Sequence, residues 1–485
     1  MSYTPTIGLE IHIEPKTKTK MFCGCLNDPF ASKPNENVCP ICLAHPGTLP
    51  TINKKAVEAT LKLGLALNGK IADKSHFDRK SYFYPDLPKG YQISQYKNPL
   101  VEGGMLKGVH ITRIHLEEDT GKLLHKSSLR PELVEGQPSY SVVDFNRAGV
   151  PLIELVTDPD IQSGVEAMEF AKELQLILRY LGISDADMEK GQMRVEANIS
   201  ISKDKKKLGT KTEIKNLNSF KIVGDAINYE IKRQETLLEK GEKVIQETRG
   251  WDERSQKTVS QRSKEEAEDY RYFPEPDLPE LDLANPTYID VELLYRELSE
   301  LPEAKRARFK SEYSLNEKQA NTLVSEPRAA QFYEEAVSEC KTEDAKKCNI
   351  LIYNYLTSDL FSIMKDRSVS FDDIKINPEN FADLVALIAK GELSSRMAKD
   401  ILLKMAETGE DPRAIMEREG IEQVSDEGAI KEAVKKVLDE NKKAVTDYRG
   451  GNEKTLKFLV GQTMKELKGQ GNPERIREIL EKELS

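Results

Sequence analysis

The chain has 485 residues, 38% hydrophobic and 32% charged, with a formal net charge of −10 at pH 7. That length exceeds one domain of ordinary size, so roughly two to four domains are expected, and the acidic balance argues against a generally basic nucleic-acid binder while leaving local patches open. No apolar run approaches the roughly 18 residues that span a bilayer, and the N-terminus lacks the basic-then-apolar pattern of a secretory leader, so the chain reads as cytoplasmic.

Gly8-Leu-Glu10-Ile-His12 alternates, which in a strand sets Glu10 and His12 on one face. Cys23-Gly-Cys25 and Cys39-Pro-Ile-Cys42 follow. Two close thiolate pairs in a loop over residues 21–45 suit a closed, structural, tetrahedral zinc site. Reduced cysteines without metal are the alternative, and His45 reads as a bystander. Residues 56–67 have a helical pattern closed by Gly69 as a left-handed cap. From Asp78 to Gln92 basic and aromatic residues interleave in a proline-bearing loop that includes Tyr82 and Lys89. Such a loop can stack a base and touch phosphate, although aromatics beside proline also serve packing.

Residues 108–116 and 141–145 read as strands, the first running into His115-Leu-Glu117-Glu118-Asp119. Glu154 stands inside the apolar run Val150-Pro-Leu-Ile-Glu-Leu-Val156, where a carboxylate is costly unless paired or metal-bound. Residues 165–181 carry apolar positions 165, 168, 171, 174, 177, 178 and 181 on one helical face. Residues 193–201 alternate as a strand, with Arg194, Glu196 and Asn198 on one side. Lys211, Glu213 and Lys215 then precede a helix over 220–239, with Ser219 as cap and Gly241 as stop. Lysines beside a helix N-terminus suit an anion, although an ordinary capped helix has the same look. No phosphate-loop sequence is present. Carboxylates with one imidazole, drawn from several strands, suit magnesium with phosphate; a structural ion-pair network is the competing explanation.

These irregularly interleaved signals indicate an α+β chain whose first 290 residues form a mixed, largely antiparallel sheet domain. Residues 272–280 are rich in proline and acid and cannot be helical. Beyond Asp290 the chain reads as all-α, with helices expected over 290–298, 316–323, 329–340, 342–364, 379–389 and 394–406. A second change near Gly409–Pro412 separates a helical domain, 291–410, from a helical tail, 411–485. Cys340 and Cys348 read as isolated, inert thiols. From Lys442 to Ser485 there are 10 Lys and Arg against 7 Asp and Glu. Lys454, Lys457, Lys465, Lys468, Arg475 and Arg477 lie on or beside two helices there, as a phosphate-binding face or a merely solvated one.

Several blocks carry a more specific signal: Ile7-Gly-Leu-Glu-Ile-His12, Phe77-Asp-Arg-Lys-Ser-Tyr-Phe-Tyr-Pro-Asp86, Tyr91-Gln-Ile-Ser-Gln95, His115-Leu-Glu-Glu-Asp119, Asn146-Arg-Ala-Gly-Val-Pro-Leu-Ile-Glu154, Lys215-Asn-Leu-Asn-Ser-Phe220, Gln246-Glu-Thr-Arg249, Asp269-Tyr-Arg-Tyr-Phe-Pro-Glu-Pro-Asp277 and Phe458-Leu-Val-Gly-Gln462. In this order, almost end to end, they resemble the GatB family, the B subunits of tRNA-dependent amidotransferases. The resemblance implies that ATP activates the side-chain carboxylate of Glu-tRNA(Gln) or Asp-tRNA(Asn), and that ammonia then displaces phosphate. It implies a Mg²⁺ site at Glu10, His12, Glu118 and Glu154 in a catalytic cradle domain, with Glu196 and Glu213 beside it. Some relatives carry aspartate at the position of Glu196. Lys215, Arg194, Tyr82 and Lys89 are the expected ATP-side contacts, the four cysteines match a Zn²⁺ site found in part of the family, and the tail is expected to bind tRNA. No Gly-Gly-Ser-Ser-Gly-Gly amidase signature is present, so ammonia is expected from an amidase A subunit, bridged by a small C subunit in a heterotrimer. Two rivals are a non-catalytic tRNA-binding scaffold and a relative with an inserted domain, for which the chain after Pro279 leaves no room.

Overall fold

The computed structural model describes residues 3–31, 33–126, 140–204, 207–263, 270–342, 344–421, 427–450, 452, 454–467 and 471–484. The chain divides into two compact units, Met1–Leu301 and Pro302–Ser485.

The first unit is organised by a ten-stranded sheet. Its principal strands are β1 (Thr4–Ile13), β2 (Val109–Glu118), β3 (Pro151–Thr157), β4 (Met193–Ser202), β5 (Thr212–Leu217), β6 (Glu247–Asp252) and β7 (Lys257–Ser263). They lie in the order β7-β6-β5-β4-β1-β3-β2. Neighbours are antiparallel except β5 and β6. That parallel pair is joined through a helix, the crossover such a connection requires. The helices of this unit include α1 (Lys54–Ala66), α2 (Gly164–Tyr180) and α3 (Phe220–Glu239).

Strand β1 shows how the sequence sorts the two faces. Ile7, Leu9, Ile11 and Ile13 are almost wholly buried, while Glu10 and His12 take the alternate positions. Each such aliphatic side chain contributes roughly 1.5–3 kcal/mol on burial. The core they join includes Phe170, Leu174, Val223 and Ile227 of α2 and α3. These helices approach closely because residue 164 is glycine: a Cβ there would stand 2.4 Å from the Gly224 carbonyl oxygen. The hydroxyl of Ser219 accepts from the Ile222 N–H, and Gly241 has φ +76° just past the helix end, so start and stop of α3 fall where the sequence sets them.

Other details differ. The left-handed residue after α1 is Asn68 (φ 57°), not Gly69. Asparagine tolerates that region, and Gly69 serves close packing instead, since a Cβ there would lie 2.4 Å from Val101. Val165, expected on the buried face of α2, is 53% exposed in the helix's first turn.

The second unit is helical. The helix Pro302–Glu312 escaped the periodicity reading because only Pro302 and Phe309 in it are buried. The expected helix over 342–364 begins at Ala345 and is interrupted by a π-helical turn, Tyr355–Leu360. Cys340 and Cys348 are not isolated: they form a disulfide, with Cα atoms 6.8 Å apart, where the helix Pro327–Glu339 turns into Ala345–Asn354. Within the last helices Ile430, Val434, Leu459, Ile476 and Leu480 make a core of their own. Among the described residues no helix is long and apolar enough to cross a membrane.

Candidate active site and cysteine cluster

Residues opposite one another in an antiparallel ladder share a face. His12 of β1 stands opposite Glu154 of β3, and Glu154 opposite His115 of β2. Glu10 stands opposite Glu196 of β4, and Asn198 opposite Glu213 of β5. The ladder therefore gathers on the polar face groups far apart in sequence. The His12 Nε2 is 3.7 Å from Glu10 Oε1 and 3.5 Å from Glu154 Oε2. The His115 Nε2 is 3.5 Å from both Glu154 Oε2 and Glu117 Oε1. Glu10, His12 and Glu154 offer ligand atoms within 4.8 Å of one another, and so do His115, Glu117 and Glu154. Beside them the Lys215 Nζ is 2.9 Å from Glu196 and 3.7 Å from Glu213. The Thr248 hydroxyl of β6 donates to Glu213 at 2.6 Å.

Burial makes these charges interdependent. Desolvation and the neighbouring Glu154 push the Glu10 carboxyl up to about 7. Desolvation acts the same way on Glu154, but His115 and His12 outweigh it and hold Glu154 well below the usual carboxylate range. Burial opposes the charge on His115, yet Glu154 and Glu117 raise it to about 9. Two carboxylates and an imidazole converging in this way fit a hard divalent cation that completes its shell with water or phosphate.

The face forms the floor of a cavity of about 840 Å³. Tyr82, Tyr96, Tyr270, Tyr272 and Lys80 also line it. Tyr96 and Tyr272 stack with ring centroids 4.4 Å apart and planes 13° off parallel.

Glu118 does not join the cluster. Adjacent strand residues point to opposite faces, so Glu117 enters the cavity and Glu118 leaves it. Glu118 accepts from the Lys89 ammonium at 2.5 Å and from the Ile93 N–H at 3.0 Å. Lys89 is thereby committed away from Glu154. Arg194 stands opposite His12, but its guanidinium donates to Asp119 at 2.6 Å. Tyr82 and Lys215 do line the cavity. His115, Glu117, Lys80 and the tyrosines at 96, 270 and 272 went unassigned in the sequence reading. The in-phase alternation Arg113, His115, Glu117 was the available signal for the first two. Glu117→Gln is expected to weaken binding of Mn²⁺, a spectroscopic stand-in for Mg²⁺, by about tenfold or more, with Glu118→Gln near wild type. Titration followed by electron paramagnetic resonance reads both, and the reverse order would restore Glu118 to the site.

The sulfurs of Cys23, Cys25, Cys39 and Cys42 also lie within 4.8 Å of one another. The Cys42 Sγ accepts from the Cys39 N–H at 3.1 Å and from the fully buried Lys20 ammonium at 3.8 Å. A hydrogen bond from Cys23 lowers the Cys42 thiol to about 5 against the effect of burial, helped by those donors. Four soft donors, one poised as thiolate, fit a closed zinc site. The loop is tied to the sheet where the Met21 N–H donates to the Gly149 carbonyl at 2.7 Å, just before β3.

In the last helices Lys454, Lys457 and Lys465 are exposed along Lys454–Glu466. Arg475 and Arg477 are ion-paired with Glu478 and Glu481, and Lys468 falls outside the described residues.

The family model described as the GatB/GatE catalytic domain matches residues 5–288, and that described as the GatB domain matches residues 331–484. The chain is 45% identical over 490 residues to the B subunit of the aspartyl/glutamyl-tRNA(Asn/Gln) amidotransferase of Persephonella marina, covering 99% of both chains. It is 45% identical over 495 residues to the protein so named in Carboxydothermus hydrogenoformans, covering 100% of this chain and 99% of that one. Over 498 residues it is 45% identical to the protein so named in Crocosphaera subtropica, with 100% and 98% covered.

Proposed function

The chain belongs to the GatB family of amidotransferase B subunits, so its activity is tRNA-dependent amidation within a multi-subunit enzyme, and from that premise we propose that the cavity on the polar face of the sheet is where the amidation takes place. The observation that carries this reading is the convergence on Glu154 of Glu10, His12, His115 and Glu117 from the two strands flanking its own.

The chemistry is activation followed by substitution. A carboxylate oxygen of the glutamyl or aspartyl side chain attacks the γ-phosphorus of ATP, and ADP departs with the electrons of the broken P–O bond. Ammonia then attacks the acyl carbon, and phosphate departs. Glu10, His12 and Glu154 would hold a magnesium ion, which would supply positive charge for phosphoryl transfer. The chain's own part is mainly positioning, as phosphoryl transfer needs. Glu154 orients both histidines, and Lys215, fixed between Glu196 and Glu213, stands ready for a phosphate oxygen. The tyrosine wall offers faces on which a base can stack. The four cysteines would hold a zinc ion that closes their loop. Ammonia comes from an amidase A subunit, with a small C subunit joining the assembly. ATP hydrolysis by the assembled enzyme, with ammonium chloride as nitrogen source, tests the reading: it should need Mg²⁺ and be stimulated by Glu-tRNA(Gln) or Asp-tRNA(Asn). Hydrolysis indifferent to both would leave the chain a scaffold.

The helical tail is assigned to tRNA. Lys454 and Lys465 are eleven residues apart, almost three whole turns, and Lys457 stands one turn from Lys454, so the three share a side of the helix. Removing residues 412–485 should weaken tRNA binding about tenfold or more at 0.1 M salt and flatten the salt dependence, by roughly 0.7–0.9 in logarithmic slope per lost phosphate contact. Filter binding across a salt series checks it, and unchanged affinity at low salt counts against the assignment.

A further inference from the structure

We propose that Lys80 binds the side-chain carboxylate of the aminoacyl-tRNA, and so makes the cavity prefer an acid to the amide it becomes. The inference rests on the reading that this cavity is the amidation site.

The argument begins with charge. The cavity is lined by Glu10, Glu117, Glu154 and Glu213, yet the group to be activated is itself a carboxylate. A cation must compensate, and four line the cavity, Lys80, Arg113, Lys211 and Lys215. Lys215 pairs with Glu196 and Glu213. Arg113 faces the Tyr96 ring at 5.9 Å and leaves its buried Nε without a hydrogen bond, and Lys211 is exposed. Lys80 lies on the short strand Asp78–Ser81, which pairs with Tyr91–Ser94. Its ammonium stands 5.0 Å over the Tyr270 ring and makes no ion pair or hydrogen bond among the described residues. An ammonium brings three N–H donors, and Lys80 is half-buried, so its donors face the cavity, where a ligand can replace water on them.

The surroundings specify the ligand. Tyr270 packs edge-on to Tyr82 and Tyr272, each with centroids 6.0 Å away, so an aromatic wall rather than a nest of backbone N–H groups flanks the ammonium. A nest of that kind is the usual phosphate cradle; a single compact point charge suits one carboxylate, and the KM for ATP separates that role from a phosphate contact. Burial works against the charge on Lys80, but Glu117, Tyr272 and Glu154 outweigh it and keep the amine protonated. A carboxylate placed between Lys80 and the acid–histidine cluster would have its charge met on the lysine side. Once it is an amide the negative charge is gone, and Lys80 keeps only a neutral acceptor, the amide oxygen, in place of a charge-assisted partner. Loss of one charge-assisted hydrogen bond to a buried partner corresponds to roughly 10- to 100-fold in affinity.

The test uses the assembled amidotransferase with ammonium chloride in place of glutamine. For wild type, Lys80→Met and Lys80→Arg, one measures kcat, KM for Glu-tRNA(Gln), KM for ATP and the inhibition constant of Gln-tRNA(Gln). Wild type should bind Glu-tRNA(Gln) about tenfold or more better than Gln-tRNA(Gln). Lys80→Met should close that gap by raising KM for Glu-tRNA(Gln), with KM for ATP unchanged, and Lys80→Arg should restore most of it. A raised KM for ATP alone would assign the lysine to nucleotide phosphate and overturn the proposal. So would an unchanged KM for Glu-tRNA(Gln), or a uniform fall in kcat with a lowered Tm. If Lys80→Met does not fold, Lys80→Gln is read in the same way. An inactive Glu154→Gln beside an unaffected Lys80→Met sinks this inference alone, whereas an active Glu154→Gln removes the reading beneath it.

Discussion

Glu154→Gln is expected to abolish ATP-dependent phosphorylation of Glu-tRNA, with kcat falling on the order of 10³-fold or more, the scale of losing a main charge-stabilising group. Glu154 is the side chain shared by both candidate ligand groups. It is nine-tenths buried and sits between His12 and His115 at 3.5 Å from each. Glutamine keeps the shape but removes the charge that holds both imidazoles and any cation. The fold should survive, because the flanking Ile153 and Leu155 are fully buried on the other face and do not depend on that charge. The exchange also removes one of the groups that push Glu10 upward, so Glu10 should titrate closer to an ordinary glutamate. The checks are single-turnover phosphorylation of Glu-tRNA by labelled ATP, with Tm and zinc content as controls. Near-normal turnover in a folded variant would refute the assignment.

Cys42→Ser carries the second large effect, on stability rather than chemistry. Cys42 is the sulfur with the most donors aimed at it, and a serine hydroxyl is a much poorer zinc ligand than a thiolate. Structural zinc sites in small domains contribute roughly 10–16 kcal/mol of metal binding to folding. Here the loop is also anchored by Met21 and Thr51 backbone hydrogen bonds, so only part of that is at risk. Loss of about 3 kcal/mol would lower Tm by roughly 10 °C. The variant is expected to purify without stoichiometric zinc and to melt at least that much lower. A wild-type protein that is freshly purified without chelator and contains no zinc would remove the metal from the account.

What the sequence made legible depended on range. Local patterns were readable: the alternation of β1, the cap and stop of α3, and the paired cysteines each lie within a few residues. The α+β division was readable too, because the Tyr272–Glu280 break separates two kinds of periodicity. Register was not. Glu117 and Glu118 are neighbours with the same side chain; alternation sets Glu117 in phase with His115, but the β2–β3 ladder is what places that phase beside Glu154. The tyrosine wall was out of reach for a similar reason, since Tyr96 and Tyr272 meet in a stack although they are far apart along the chain. Lys80 was visible as part of a basic and aromatic loop, but its want of a partner is a property of the assembled cavity. Pro302–Glu312 was missed because a helix that buries so little leaves no stripe to read. Cys340 and Cys348 looked isolated because their separation of eight residues is bridged by a corner between helices, not by one element.

The most direct test of the central claim is isotopic. Glu-tRNA(Gln) carrying ¹⁸O in both side-chain carboxylate oxygens would be amidated by the assembled enzyme with ATP and ammonium chloride, and the inorganic phosphate analysed by mass spectrometry. If the cavity activates the carboxylate by phosphorylation, the bridging oxygen leaves with phosphate, so each turnover should yield one ¹⁸O-labelled phosphate and an amide that keeps the other ¹⁸O. Phosphate free of label while Gln-tRNA(Gln) accumulates would contradict it.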